Sequence, residues 1–321
     1  MSTLRLGTRG SQLALVQATA TSRLLKQHAG VDCDIVVIKT TGDRLGEAPL
    51  SEIGGKRLFV KEIEDSLLAG EVDLAVHSSK DLPAVLPDGL EIGAVLTRED
   101  PRDAIVLPQG AGGATLDDVV RRLGATPRIG TSSVRRIAQL MRLFPGATFL
   151  PIRGNLDTRL RKLDAGDYDA LVLAAAGLRR LDHAHRMSTT VPVEACIPAP
   201  GQGIIAIEIR GNDARTRARV GTIDTPDARV ALEAERAVVV RLGGGCQMPI
   251  GAYAQIDGDR VQLAGIVISL DGSREARANT IGSIREPGVA GVHVAEQLLA
   301  RGADAILAEA QQVSGDKGHP S

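Results

Sequence analysis

The chain has 321 residues, 43% of them hydrophobic and 24% charged, with a formal net charge of −1. That mixture excludes a disordered, collagenous or coiled-coil protein, and the length suits two or three domains with buried cores. Aromatic residues at 2%, no Trp and a near-zero net charge argue against nucleic-acid binding, and no stretch reaches the roughly 20 apolar residues that span a bilayer.

Taken in chain order, Leu4-Arg5-Leu6 predicts a strand and Gly7-Thr8-Arg9-Gly10-Ser11 a loop, with no signal-peptide core ahead of them. Ser11 is the expected N-cap of a helix that puts Leu13, Val16, Ala20 and Leu24 on one apolar face and stops at Gly30. A β-branched strand follows over 34–39, then a turn at Gly54-Gly55 and a helix over 59–68. A buried strand over 72–76 runs into His77-Ser78-Ser79-Lys80-Asp81.

The plan then repeats. A strand over 128–130 leads into Thr131-Ser132-Ser133 and a helix with Val134, Ile137, Leu140, Met141 and Phe144 on its apolar face. A strand over 149–152 precedes Arg153-Gly154-Asn155 at the start of another helix, and a strand over 168–173 enters a segment ending in Arg179-Arg180. Gly7-Thr8-Arg9-Gly10-Ser11 sits where Gly130-Thr131-Ser132-Ser133 sits, and Ala69-Gly70-Glu71-Val72-Asp73 matches Ala165-Gly166-Asp167-Tyr168-Asp169. Two echoes in the same order predict two similar α/β lobes. The last part differs: a helix over 226–242, a Gly-rich loop, strands over 252–256, 261–269 and 276–281 with hairpin signals at Asp257-Gly258 and Asp271-Gly272, then helices over 289–300 and 303–310. It reads as a small α+β domain, with 312–321 a frayed tail.

Charge is uneven along the chain. Residues 1–120 carry 12 basic and 18 acidic side chains, net −6; residues 121–186 carry 13 and 5, net +8; residues 187–321 carry 13 and 16, net −3. Arg outnumbers Lys by 31 to 7, which a GC-rich genome explains as well as selection for forked guanidinium groups. The positive middle segment points to an anion site. Both Gly/Ser/Thr loops open helices, where free N–H groups favour an anion, although ordinary capping accounts for either loop alone. Arg9 lies in the first loop, and Arg135-Arg136 follow the Ser133 cap, where the helix dipole disfavours cations. Arg153 and Arg180 stand at strand ends, Arg159 on the helix after Arg153, and Arg161 on what reads as a solvated face.

Asp81 beside Lys80 is either a structural pair or, at a strand end, a candidate acid/base or cation stabiliser. Cys246 in Gly243-Gly244-Gly245-Cys246-Gln247 is either a buried structural thiol or, with three glycines giving close access, a nucleophile or attachment site. Cys33 and Cys196 lack such surroundings, and three scattered cysteines predict a reducing, cytoplasmic setting. Gly201-Gln202-Gly203-Ile204-Ile205-Ala206 fits a dinucleotide pattern, but prolines precede it and a strand-like run follows it. His183-Ala184-His185 reads as a solvated face, and no metal site is expected.

Together these residues resemble the hydroxymethylbilane synthase family, also called porphobilinogen deaminase, of tetrapyrrole biosynthesis. The resemblance runs from Leu4 to about Ala310 through Gly54-Gly55-Lys56 and Leu58-Phe59-Val60-Lys61-Glu62, His77-Ser78-Ser79-Lys80-Asp81-Leu82-Pro83 and Arg98-Glu99-Asp100-Pro101-Arg102-Asp103-Ala104. It continues through Gly130-Thr131-Ser132-Ser133-Val134-Arg135-Arg136, Arg153-Gly154-Asn155, Pro200-Gly201-Gln202-Gly203 and Gly244-Gly245-Cys246-Gln247. It implies an α/β fold of two type II periplasmic-binding-protein-like lobes around a cleft plus the C-terminal α+β domain. The expected division is 1–97 with 198–219, then 98–197, then 220–313 and a tail over 314–321. The polar, Gly-rich stretch over 41–56 is then expected to be a mobile lid on the cleft.

The activity implied is head-to-tail condensation of four porphobilinogen molecules, with loss of ammonia, on a dipyrromethane cofactor attached through Cys246, then hydrolysis to linear hydroxymethylbilane. By the same resemblance Asp81 is the catalytic carboxylate, bound to pyrrole N–H groups and facing the azafulvenium cation left as ammonia departs. Lys80, Ser133, Arg135 and Arg136 hold the cofactor, and Arg9, Ser11, Arg153, Arg159 and Arg180 hold substrate and the growing chain. No nucleic acid, membrane or metal is implied, and the protein is expected to be a monomer. Arg57 stands where the family has a small residue, Gly10 where a larger polar one is common and Ser79 where Met is common, which leaves fine substrate-loop contacts open. Two other classes compete: a non-catalytic two-lobed carboxylate-binding protein, which leaves Cys246 unexplained, and a thiol acyl transferase, for which only His293 lies in the domain of Cys246.

Overall fold

The structure, a computed structural model, describes residues 3–41, 60–111, 115–244 and 248–316. Gly54-Gly55, Arg57, Cys246 and all but the first residue of the 41–56 stretch lie outside the described residues. The strands are β1 (Leu4–Thr8), β2 (Cys33–Val37), β3 (Leu74–Ser78), β4 (Leu90–Val95) and β5 (Asp103–Val106). They continue with β6 (Arg128–Gly130), β7 (Thr148–Leu150), β8 (Ala170–Ala174), β9 (Thr189–Thr190) and β10 (Ile205–Arg210), then β11 (Ile250–Asp257), β12 (Arg260–Ile268) and β13 (Glu275–Ser283).

Two five-stranded sheets share one plan, β2-β1-β3-β10-β4 in the first lobe and β7-β6-β8-β5-β9 in the second. In each, the first three strands are parallel and the fourth runs antiparallel to both neighbours. Central parallel strands are covered on both faces, so β3 and β8 read as almost unbroken apolar runs with Leu74, Ala75, Val76, Leu171 and Val172 buried. The chain passes between the sheets twice, before β5 and again before β10.

The duplication extends to single atoms. Asp73 accepts from Arg5 N and Nη2, each at 2.8 Å, and Asp169 accepts from Arg128 N at 2.7 Å and Nη2 at 2.8 Å. Each aspartate also returns a backbone bond to its arginine's carbonyl. These aspartates close the two Ala-Gly echoes of the sequence, and the clamps tie the start of β1 to the turn before β3 and the start of β6 to the turn before β8.

Two helix faces differ from the expected ones. The Gln12–Ala29 helix buries Gln17, Ala18, Thr21 and Leu25, and leaves Val16 38% exposed. Polar residues go inside because their hydrogen bonds are met there: Gln17 Nε2 donates to Ser78 Oγ and Thr21 Oγ1 to Gln17 O, both at 2.9 Å. The Val134–Leu140 helix buries Arg135, Arg136, Ala138, Gln139 and Leu140, with Val134 and Ile137 only half-buried.

The third sheet is the antiparallel meander β11-β12-β13, packed by the Pro226–Leu242 and Pro287–Leu299 helices over Val238, Ala252, Leu263, Val294 and Leu298. The final helix runs Ala303–Asp316, past the point where fraying was expected, and Ile306, Leu307 and Ala310 anchor it. Among the described residues no helix is long and apolar enough to cross a membrane.

Candidate functional site

The first lobe presents its chemistry at the C-terminal ends of β1 and β3, where open α/β sheets bind ligands. β3 ends at Ser78 and tightens into a single 3₁₀ turn, Ser79–Asp81, held by Ser79 N donating to Ile204 O at 2.9 Å and by the buried Leu82. That turn carries Lys80 and Asp81. β1 ends beside it, Arg9 follows, and Ser11 caps the next helix, its Oγ accepting from Ala14 N at 3.4 Å. Arg9, Ser11, Gln17, His77, Ser78 and Asp81 line one recess. His77 Nε2 also lies 3.1 Å from the carboxylate of Glu208, with both side chains buried.

The second lobe supplies the cations. Ser133 caps the Val134–Leu140 helix as expected. Arg135 and Arg136 meet an anion of the chain itself: Asp103, fully buried, accepts from Arg135 Nη2 at 2.7 Å and from Arg136 Nε and Nη2 at 3.0 and 2.8 Å. Burial alone would raise the Asp103 carboxyl. The two guanidinium charges and their hydrogen bonds overcome that and hold it well below the usual carboxylate range. Arg135 Nη1 also donates to Ile197 O at 2.8 Å, and Arg136 Nη1 to Val172 O at 3.0 Å. Cys196 lies against the same group, and burial pushes its thiol up to about 12, so it stays neutral and unreactive.

Arg153 and Arg159 are different. No described carboxylate lies within ion-pair distance of either, and among the described residues Arg159 donates only to the backbone, Nε to Gly154 O at 2.8 Å. Burial, then the like charges of Arg136 and Arg153, lower the Arg159 guanidinium from its ordinary value. Arg180 is lowered chiefly by burial and donates to Gly203 O at 2.6 Å, which places it at the crossover between the lobes. Arg179 pairs instead with Asp100 at 3.3 Å, and Arg161 is exposed.

The structure thus gathers Arg9, Ser11 and Asp81 in one recess and sets Arg136 and Arg153 within electrostatic reach of Arg159. Lys80 joins the two groups through Gln202, whose Oε1 accepts from its Nζ at 3.2 Å. Sequence reasoning missed three organising residues. Asp103 was visible only as part of a matched stretch, Gln202 only in a matched stretch and in a rejected dinucleotide pattern, and Glu235 was one acidic residue on a long helix. Glu235 is fully buried and accepts from Arg98 Nη1 at 2.5 Å, Gly201 N at 2.6 Å and Ala254 N at 2.7 Å, joining both crossovers to the third domain. Among the described residues no His, Cys, Asp and Glu cluster could hold a metal, and His183 pairs with Asp157.

Residues 4–218 match the family described as porphobilinogen deaminase, dipyromethane cofactor binding domain, and residues 230–300 match porphobilinogen deaminase, C-terminal domain. The chain belongs to the porphobilinogen deaminase family. It is similar to the porphobilinogen deaminase of Geobacter metallireducens, 45% identical over 318 residues that cover 96% of this chain and 95% of that one. It is also similar to that of Syntrophobacter fumaroxidans, 46% identical over 307 residues and covering 95% and 97%. Among solved structures it aligns with immunogenic lipoprotein A from Vibrio vulnificus at a TM-score of 0.43 and 12% identity, over 70% of this chain and 96% of that one. Porphobilinogen deaminases are transferases, and the family match favours that class over a non-catalytic carboxylate-binding protein. The dipyrromethane-binding domain spans both lobes.

Proposed function

We propose that this chain condenses four porphobilinogen molecules head to tail on a dipyrromethane primer attached to Cys246 and releases linear hydroxymethylbilane by hydrolysis. The observation that carries the reading is the guanidinium cluster on the second lobe. Arg136 and Arg153 crowd Arg159 at a cost to its guanidinium, and no described carboxylate offsets Arg153 or Arg159. A pyrrole chain bearing acetate and propionate groups supplies what they lack, with the bidentate geometry arginine favours.

The bound dipyrromethane supplies the pyrrole carbon that takes up the first substrate unit. Lys80, Ser133, Arg135 and Arg136 hold its carboxylates, with Arg135 and Arg136 aimed by Asp103. Arg9, Ser11, Arg153, Arg159 and Arg180 hold substrate and the lengthening chain. Asp81 accepts hydrogen bonds from pyrrole N–H groups and balances the positive charge that grows on the substrate as ammonia leaves. A preorganised group of that kind is worth about 10²–10³ in rate. Each added ring brings two carboxylates, so the second lobe must stay electropositive throughout. The reading extends to a monomer acting in the cytoplasm and to a division into 1–97 with 198–219, 98–197 and 220–313, which the place of β10 in the first sheet supports.

Intact-mass measurement tests it. The purified protein should be heavier than its sequence by two linked pyrrole units, and Cys246→Ser should remove that mass; an active protein of unmodified mass would sink the mechanism. Asp81→Ala should keep the fold and the mass yet abolish turnover. Near-normal turnover would take Asp81 out of its role.

A further inference from the structure

Gly201-Gln202-Gly203 is a dinucleotide pattern in the wrong surroundings, yet its backbone is tightly held. Gly201 and Gly203 have φ of +73° and +89°. A Cβ on Gly203 would stand 2.2 Å from Glu99 O, and one on Gly201 2.6 Å from Ser79 Oγ, so only glycine passes. Glu235 holds Gly201 N, and Arg98 Nε donates to Gln202 O at 2.9 Å.

A backbone fixed on both sides points the Gln202 side chain, 1% exposed, in one direction. Its Nε2 donates to Asp103 Oδ1 at 2.8 Å and to Pro101 O at 2.7 Å, while its Oε1 accepts from Lys80 Nζ at 3.2 Å. A carboxylate and a carbonyl can only accept and an ammonium can only donate, so the partners themselves fix the orientation of the amide. One end of Gln202 therefore reads the catalytic turn of the first lobe, and the other reads the carboxylate that aims Arg135 and Arg136 in the second.

We propose that Gln202 is a positioning residue that sets Lys80, and with it the Ser79–Asp81 turn, against the Asp103–Arg135–Arg136 cluster across the two lobes. The proposal rests on the roles assigned to Lys80, Asp81 and the arginine pair above. A lysine on its four-carbon stem has three rotatable donors and no geometry of its own, and a hydrogen bond to a buried, immobile amide removes that freedom. Asp81 shares the turn, so a shift of Lys80 is felt at the carboxylate, and a misplacement of about 1 Å is enough to cost a hundredfold in rate.

The test compares Gln202→Met, which keeps volume and loses every hydrogen bond, with the parent enzyme. Cofactor loading is read by intact mass, and kcat and KM are read with porphobilinogen. Loading should persist, kcat should fall about tenfold or more, and KM should stay within about twofold. Combining Gln202→Met with Lys80→Gln should cost less than the product of the two single losses, because both cut one link. Gln202→Asn, which keeps the amide but cannot span both partners, should give the same pattern and covers a Met variant that does not fold. A kcat within about twofold of the parent, or losses that multiply in the double variant, would overturn the assignment. If the unsubstituted chain carries no cofactor and shows no turnover, the functional reading fails; if it does both and the Gln202 variants match it, only the role of Gln202 fails.

Discussion

Asp103→Asn is the most informative single change outside the recess. The side chain keeps its shape but loses its charge, leaving the Arg135 and Arg136 guanidinium groups, 4% and 10% exposed, without the anion they enclose. Five donors converge on this carboxylate, from Arg135, Arg136 twice, Gln202 and the Cys196 thiol. Removing one partner of such a buried set costs about 3–5 kcal/mol, since it leaves charge buried and unpaired. With a urea m-value of about 2 kcal/mol/M, the midpoint of unfolding should drop by roughly 2 M. With no Trp in the chain, far-UV circular dichroism is the signal to follow, in a Cys246→Ser background so that bound cofactor enters neither arm. The sign of the pH dependence is set as well. The folded carboxyl lies below its ordinary value, so its stabilisation is present above that value and lost as pH falls toward the folded one. The gap between parent and variant should therefore narrow on acidification below about pH 4. A midpoint within about 0.5 M of the parent at pH 7 would refute the account of Asp103 as the buried counter-ion.

Three further outcomes follow from the same contacts. Ser79 Oγ is buried with no hydrogen-bond partner among the described residues, so Ser79→Ala should stabilise the protein by about 1 kcal/mol, read as a melting temperature higher by a few degrees; a fall would show that the hydroxyl is satisfied. Arg159→Lys keeps the charge and loses the fork, so KM for porphobilinogen should rise about tenfold while the melting temperature stays put, and an unchanged KM would remove Arg159 from substrate binding. Asp73→Asn should destabilise more than Asp169→Asn in the same melts, because Asp73 is the less exposed of the two and also lies 3.7 Å from Arg210; the reverse order would deny that the second arginine matters.

What was legible in the sequence was local. Ser11 and Ser133 declare themselves as caps because a cap is satisfied within three residues, and Asn155 does the same, its side chain accepting from Thr158 N at 2.9 Å. The duplicated lobes were readable because Asp73 and Asp169 close matching short motifs. What escaped was non-local. Gln17 is buried because Ser78, 61 positions away, meets its amide, and no periodicity in the helix could say so. The +8 of the middle segment overstated free positive charge, because Asp103 and Asp100 neutralise three of its arginines from outside the window, and Glu275 pairs with Arg142 from another domain. Arg153, Arg159 and Arg180, with no ion pair among the described residues, are what remain of that excess at the site.

The antiparallel strand in each sheet has a consequence for how the chain matures. The second lobe is assembled from β5 to β9 in one continuous run, so its sheet can close as soon as those residues leave the ribosome. The first lobe cannot: β10 sits between β3 and β4, and β4 has no neighbour until residues 205–210 arrive. At synthesis rates of about 5–20 residues per second, that wait lasts roughly 5–20 seconds for the ~110 intervening residues. Throughout it β3, with Leu74, Ala75 and Val76 along it, shows an open, apolar edge of the kind that invites mispairing. The sheet of the lobe that carries Asp81 is therefore the last of the two to be completed, although that lobe is the first to be made.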